Sequence, residues 1–298
     1  MRPSWQESRY NDEKINLSNN VCYDIIVLDK INSLLKTKDF NFRQYPDEYI
    51  VYKSISNYHN VNTKNIAIGY GLGELITRVL KLKKIKKLSI VTPTWPMVEV
   101  YSNIYGIEHS SGVDFSANAL YIANPNGVTG KCLSKHEIIE LLDKFELVIV
   151  DEAYGEFSKK EFSVIDIAAD RDNLIVLKTL SKSLGLAGLR FGYAISNEKI
   201  IYELQINRPS CIMNSMLMTI SDELFEMIPS HITRMNETKE FIHDNFDCDE
   251  SHGNFVLIIN TPAIIQETFI VKEIPNFATR MSLTNLHIFK DAINNRNT

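Results

Sequence analysis

Short apolar runs alternate with longer amphipathic stretches through the first two thirds of the chain. "NIAIG" (65–69), "KLSIVTP" (87–93), "ALYIANP" (119–125), "ELVIVDEAY" (146–154) and "LIVLK" (174–178) read as buried strands. Leu189 to Ala194 reads as another. Between them, "GELITRVLKLKKI" (73–85), "WPMVEVYSNIYG" (95–106) and "SKHEIIELLDKF" (134–145) have helical spacing. The last opens on Ser134 with Glu137 three residues on, which predicts a capping box. Strands alternating with helices predict a three-layer α/β/α sandwich around a mostly parallel sheet. Such sheets place ligands at the carboxyl ends of their strands.

After Ser196 the texture changes. A long helical region over about 197–246 is followed by three strand-like runs, "NFVLIIN", "FIVKEI" and "TRMSLT", and a final helix, "NLHIFKDAI". This predicts a smaller C-terminal α+β domain. The chain then divides into an N-terminal arm and helix (1–40), a large domain (41–205) and a small domain (206–298).

The 298 residues, 44% of them hydrophobic, suffice for one large core and a smaller one. A net charge of −5 gives no reason to expect nucleic acid or a membrane surface as partner. The basic run Lys81–Lys87 is expected to end a helix, where cations suit the dipole. No apolar stretch has the length of a membrane span, and Met1–Tyr10 lacks the apolar segment of a secretory signal. Cys22, Cys132, Cys211 and Cys248 are too scattered for metal-ligand pairs, so a reducing cytoplasm is expected.

The candidate chemistry gathers at the predicted strand ends. Gly69-Tyr-Gly-Leu-Gly-Glu74 opens a helix, where backbone amides favour an anion. Its third glycine falls one position early for a dinucleotide fingerprint. Thr92-Pro-Thr-Trp95-Pro96 offers an aromatic face, Asn124–Gly130 a polar loop, and Asp151 ends an apolar strand. Lys182 follows Thr179 and Ser181, with Arg190 eight residues on. A lysine in a turn usually reaches solvent; a desolvated one with a lowered pKa is a nucleophile that forms imines with carbonyl compounds. One ligand suits the whole set: a flat cationic ring with an aldehyde and a phosphate, which is pyridoxal 5'-phosphate (PLP).

The chain resembles the fold-type I, class I/II aminotransferases, and within them the histidinol-phosphate aminotransferase group. The resemblance rests on "RQYPDEY" (43–49), "NIAIGYGLGELI" (65–76), "VTPTWPMVEVY" (91–101), "NPNGVTG" (124–130), "VIVDEAYGEF" (148–157), "TLSKSLGLAGLRFGY" (179–193), "HGNFVLI" (252–258) and "ATRMSL" (278–283). It implies that Lys182 is the Schiff-base lysine and the base that moves the proton. Asp151 would pair with the pyridinium nitrogen, Tyr154 would hydrogen-bond the ring oxygen, and Trp95 would stack on the ring. The amides of Gly71, Leu72 and Gly73, with Thr179, Ser181 and Arg190, would hold the phosphate. Tyr45 would reach the partner subunit's cofactor, which implies a homodimer with shared sites. Arg280 would clamp the substrate carboxylate, with Asn20 and Asn254 as further substrate contacts.

Three departures qualify the match. Gly127 stands where the family loop has a second asparagine, so that either Asn126 shifts in or Tyr154 holds the ring oxygen alone. Lys272 stands where many members carry another arginine. The region between Tyr101 and Asn124 is short, and "INLSNN" only partly matches the family's entry strand. Three functions compete: an aminotransferase acting on an amino acid or amino phosphate, a decarboxylase of the threonine-phosphate kind, and a degraded homologue serving as regulator or scaffold.

Overall fold

The computed structural model describes residues 14–274 and 278–294. In chain order the elements are β1 (Ile15–Asn16), α1 (Ile25–Thr37), α2 (Tyr49–His59), β2 (Ile66–Tyr70), α3 (Gly71–Leu80), β3 (Lys87–Ile90), α4 (Met97–Ile104), β4 (Glu108–Ser111), β5 (Ala119–Ala123), α5 (Lys135–Leu142), β6 (Leu147–Asp151), β7 (Leu174–Thr179), α6 (Leu180–Ser183) and β8 (Phe191–Ser196). They continue with α7 (Glu198–Ile206), α8 (Ser215–Thr219), α9 (Ser221–Asn245), β9 (Cys248–Asp249), β10 (Phe255–Ile258), α10 (Ala263–Thr268), β11 (Phe269–Ile270), β12 (Lys272–Ile274), β13 (Ala278–Ser282) and α11 (Leu286–Asn294).

A seven-stranded sheet in the order β2-β8-β7-β6-β5-β3-β4 forms the centre. Only β8 runs against its neighbours, β2 and β7; the other pairs are parallel. The central strands β6 and β7 are apolar up to their carboxyl ends because both faces are covered. Val148, Val150, Leu174 and Val176 pack on one side with residues of α1, α2, α5 and α9. Leu147, Ile149, Ile175 and Leu177 pack on the other with residues of α3, α4 and α7. This is the expected sandwich. A separate antiparallel sheet, β12-β13-β10-β9, follows in the C-terminal part. The N-terminal segment joins that part: β1 pairs with β11, and Asp24, which caps α1, binds His231, Arg234 and Asn285.

Several elements differ from the expectation. The helix expected over 73–85 begins at Gly71 and stops at Leu80. The basic run therefore lies mostly in the turn before β3, pinned by the buried Leu82 and Ile85. Strand β4 was not foreseen, since "EHSS" lies at the sheet edge with no apolar position to bury. The region 197–246 is three helices, not one. Pro209, which lacks an N–H and restricts Arg208, lies in the break between α7 and α8. The Ser134–Glu137 capping box is present on α5.

Candidate active site

Asp151 is the last residue of β6 and is buried. Burial raises its pKa, and two donors oppose that rise: the Tyr121 hydroxyl to Oδ2 at 2.5 Å and the Ala153 N–H to Oδ1 at 3.0 Å. Tyr121 was not singled out in the sequence. The available signal was a phenol within the apolar run "ALYIA", on the strand that pairs with the one ending in Asp151.

Lys182 lies on α6, a single turn that leaves β7 directly and is capped by Thr179. Its Nζ donates to the Asn19 carbonyl at 2.9 Å and sits 5.8 Å from the centre of the Tyr154 ring. Burial and the nearby Arg280 push its pKa down to about 8; Asp151 and Arg190 also act on its charge. Lys178, four residues earlier, is the instructive contrast. It is buried between Glu156 at 3.0 Å and Glu152 at 3.3 Å, which overcome the effect of burial and keep it charged. Of the two, Lys182 has the accessible neutral amine.

The glycine loop meets Arg190. Gly71 has a φ of +74°, and a Cβ there would lie 2.4 Å from the Arg190 guanidinium. Only glycine lets backbone and arginine approach so closely. Arg190 donates to the Ala187 carbonyl at 2.9 Å and lies over the Tyr70 ring at 5.7 Å, a contact not foreseen. The Thr179 hydroxyl donates to the Phe191 carbonyl at 2.6 Å and lies 3.0 Å from the Ser181 hydroxyl. Leu72 and Gly73 continue the first turn of α3. Trp95 is partly exposed, edge-on to Tyr101 and beside Gly73.

Tyr154 packs against Gly127, where a Cβ would lie 2.8 Å from its Cε2. The Gly127 carbonyl accepts from Arg280 at 2.7 Å and from Asn20 Nδ2 at 3.0 Å. Asn20 Nδ2 also donates to the Tyr154 oxygen at 3.0 Å. The Arg280 Nε is buried without a partner among the described residues.

Three more of the predicted residues have these surroundings. The Asn126 amide does not shift toward Tyr154: its Nδ2 is spent on the Pro93 carbonyl, and its Oδ1 on the Val128 and Thr129 N–H groups. Asn254 is fully buried; its Nδ2 donates to the Asn20 carbonyl, and its Oδ1 has no partner among the described residues. Tyr45 is 88% exposed, and the site within one chain does not use it.

The arrangement fits a flat cationic ring with an aldehyde and a phosphate: a desolvated amine, a buried carboxylate and a glycine cradle against a guanidinium. Comparison with known proteins agrees. Residues 12–248 match the family described as aminotransferase class I and II. A histidinol-phosphate aminotransferase of Pyrococcus furiosus is 33% identical over 258 residues, 79% of this chain and 76% of that protein. The fold is shared with the histidinol-phosphate aminotransferase of Sinorhizobium meliloti, solved in complex with pyridoxal-5'-phosphate (TM-score 0.75, 17% identity, 95% of this chain and 91% of that one). It is shared also with an L-threonine-O-3-phosphate decarboxylase of Porphyromonas gingivalis (TM-score 0.73, 18% identity, 95% and 99%).

Proposed function

The chain belongs to the aminotransferase class I and II family, and we propose that it moves the amino group of an anionic amino acid or amino phosphate at the site built around Lys182 and Asp151. It is a PLP-dependent enzyme of the histidinol-phosphate aminotransferase group. The observation that carries the site assignment is geometric: Lys182 leaves the end of β7 beside the Tyr154 ring, Asp151 ends the neighbouring strand β6, and Arg280 reaches the Gly127 carbonyl against which Tyr154 packs.

When bound, the cofactor supplies a ring that accepts the electron pair released at the substrate's Cα. Lys182 would hold the cofactor through its aldehyde carbon, and its Nζ, when free, would serve as the base for the Cα proton. Asp151, its charge supported by Tyr121 and Ala153, would keep a proton on the ring nitrogen. Arg190, which closes on Gly71, would hold the phosphate together with the Gly71–Gly73 amides. Trp95 would cover one ring face. Arg280 binds the substrate carboxylate, exchanging the carbonyls of Gly127 and Ser18 for a bidentate partner. Lys272 lies opposite Arg280 across β12 and β13, so a second cation shares that face.

A homodimer with Tyr45 serving the partner's site belongs to the same proposal. Its support is the exposed set Phe42, Tyr45, Tyr49 and Ile50 on one segment. A small C-terminal unit is supported by its separate antiparallel sheet, to which β1 joins the N-terminal segment through β11, while α1 and the first half of α9 pack on the large core. A cytoplasmic location is supported by four free cysteines. Among the described residues no helix is long and apolar enough to cross a membrane.

A screen of amino donors against α-keto acceptors, with carbon dioxide measured alongside, tests the reaction. Amino transfer without carbon dioxide supports the proposal; carbon dioxide release from an amino-acid phosphate would establish a decarboxylase instead.

A further inference from the structure

Asn20 makes an unusual pair of contacts. Its Nδ2 lies 3.0 Å from the Gly127 carbonyl and 3.0 Å from the Tyr154 oxygen. A carbonyl can only accept, so the nitrogen and not the oxygen of the amide faces this side. Both amide hydrogens are then committed, one to each oxygen. Tyr154 accepts from Asn20, so its own proton cannot point back toward Asn20.

The backbone that carries this amide is anchored, and the amide's Oδ1 has no partner among the described residues. Asn20 has a φ of +51°, a conformation asparagine tolerates better than most residues. Asn254 Nδ2 donates to its carbonyl at 3.0 Å, and Lys182 donates to the carbonyl of Asn19. Among the described residues no loop amide competes for the phenol: a side chain at 127 would collide with Tyr154, and the Asn126 amide is taken by the Pro93 carbonyl and by N–H groups of its own loop.

We propose that Asn20 is a positioning residue that fixes the direction of the Tyr154 O–H, aiming it at the cofactor's ring oxygen. The N-terminal segment thereby takes on the task left open by Gly127. This rests on the reading of the site given above. The groups around the Tyr154 phenol are Lys182, Arg280, Asp151 and Cys22. Burial pushes the phenol's pKa up to about 12, so it keeps its proton and remains a donor.

A donor on the ring oxygen favours the form in which that oxygen is most negative. It therefore lowers the pH at which the bound cofactor's yellow chromophore loses its proton. Spectral titration of the cofactor-loaded protein tests the proposal with PLP as the probe, independently of turnover. Asn20→Gly, which keeps the positive φ accessible, should raise the midpoint by roughly half a pH unit, the scale of one weakened neutral hydrogen bond. Asn20→Asp, nearly isosteric, offers an acceptor that captures the Tyr154 proton, and should raise it as far as Tyr154→Phe does. In the Tyr154→Phe background Asn20→Gly should no longer move the midpoint, while a carboxylate at 20 acts there only through its charge. Midpoints unmoved by both single substitutions, or an Asn20→Gly shift that persists without the phenol, overturn the role of Asn20 while leaving the site intact. A wild-type chain that takes up PLP with no chromophore reducible onto Lys182 overturns the site itself.

Discussion

The Tyr121 hydroxyl donates at 2.5 Å to the carboxylate of Asp151, and both side chains are buried. Phenol and acid come from neighbouring parallel strands, β5 and β6, so sheet register sets their meeting. Tyr121→Phe keeps the ring and removes the donor. Burial then acts on Asp151 with less opposition, and its pKa rises further. Turnover should fall about tenfold, near 1.4 kcal/mol of barrier, and the acid limb of the pH–rate profile should move upward. Asp151→Asn should lose more, with the fold retained by circular dichroism. A Tyr121→Phe profile superimposable on wild type would show that the bond does not support the charge.

Lys182 is held at a cost to stability. Its folded pKa, about 8, lies below the ordinary 10.5, so the fold disfavours the proton that the unfolded chain keeps. Below pH 8 both states carry the proton and the penalty is present in full. Between about 8 and 10.5 stability recovers as the pH rises. Lys182→Met should therefore raise the melting temperature of cofactor-free protein at pH 7, with the gain shrinking toward pH 10.5. It should also abolish turnover while phosphate contacts still retain some cofactor. A melting temperature lowered at pH 7 would contradict the sign of the effect.

Asp24 fastens the N-terminal segment to α9. Burial alone would raise its pKa, but hydrogen bonds from His231, Arg234 and Asn285 hold it well below the usual carboxylate range. A depressed carboxylate adds stability above its unfolded pKa of about 4, and loses it as pH falls toward the folded value. Asp24→Asn leaves a buried histidine and an arginine without their anion, and should cost roughly 3–5 kcal/mol at pH 7. Urea unfolding between pH 7 and 2 should show a flatter pH dependence for the variant than for wild type.

The parts of this fold written in local pattern were legible: apolar runs bounded by turns, the Ser134 capping box, the polar strand ends. The parts that depend on register or on distant segments were not. Tyr121 looked like core because nothing local says that its hydroxyl meets an acid thirty positions on. The docking of Ile15–Asn16 beside Phe269–Ile270 has no local signature, and it brings Asn20 to Tyr154. Asn126 was legible as a polar residue near the site but not as a spent one, since its partners are backbone groups set by tertiary structure.

The shared site remains the sharpest test of assembly. Tyr45 is 88% exposed in the single chain, in a segment outside the parallel sheet. If it reaches the partner's cofactor phosphate, each site needs Lys182 from one chain and Tyr45 from the other. Tyr45→Phe should weaken cofactor retention by roughly 1.5–3 kcal/mol, the range for a hydrogen bond to a charged group. Mixing Tyr45→Phe chains with Lys182→Ala chains produces hybrid dimers in which one site carries both lesions and the other neither. At limiting cofactor the mixture should be more active than either parent, and the gain should require subunit exchange. Activity no greater than the average of the two parents, or full activity in a dilute monomer, would show that each chain completes its own site.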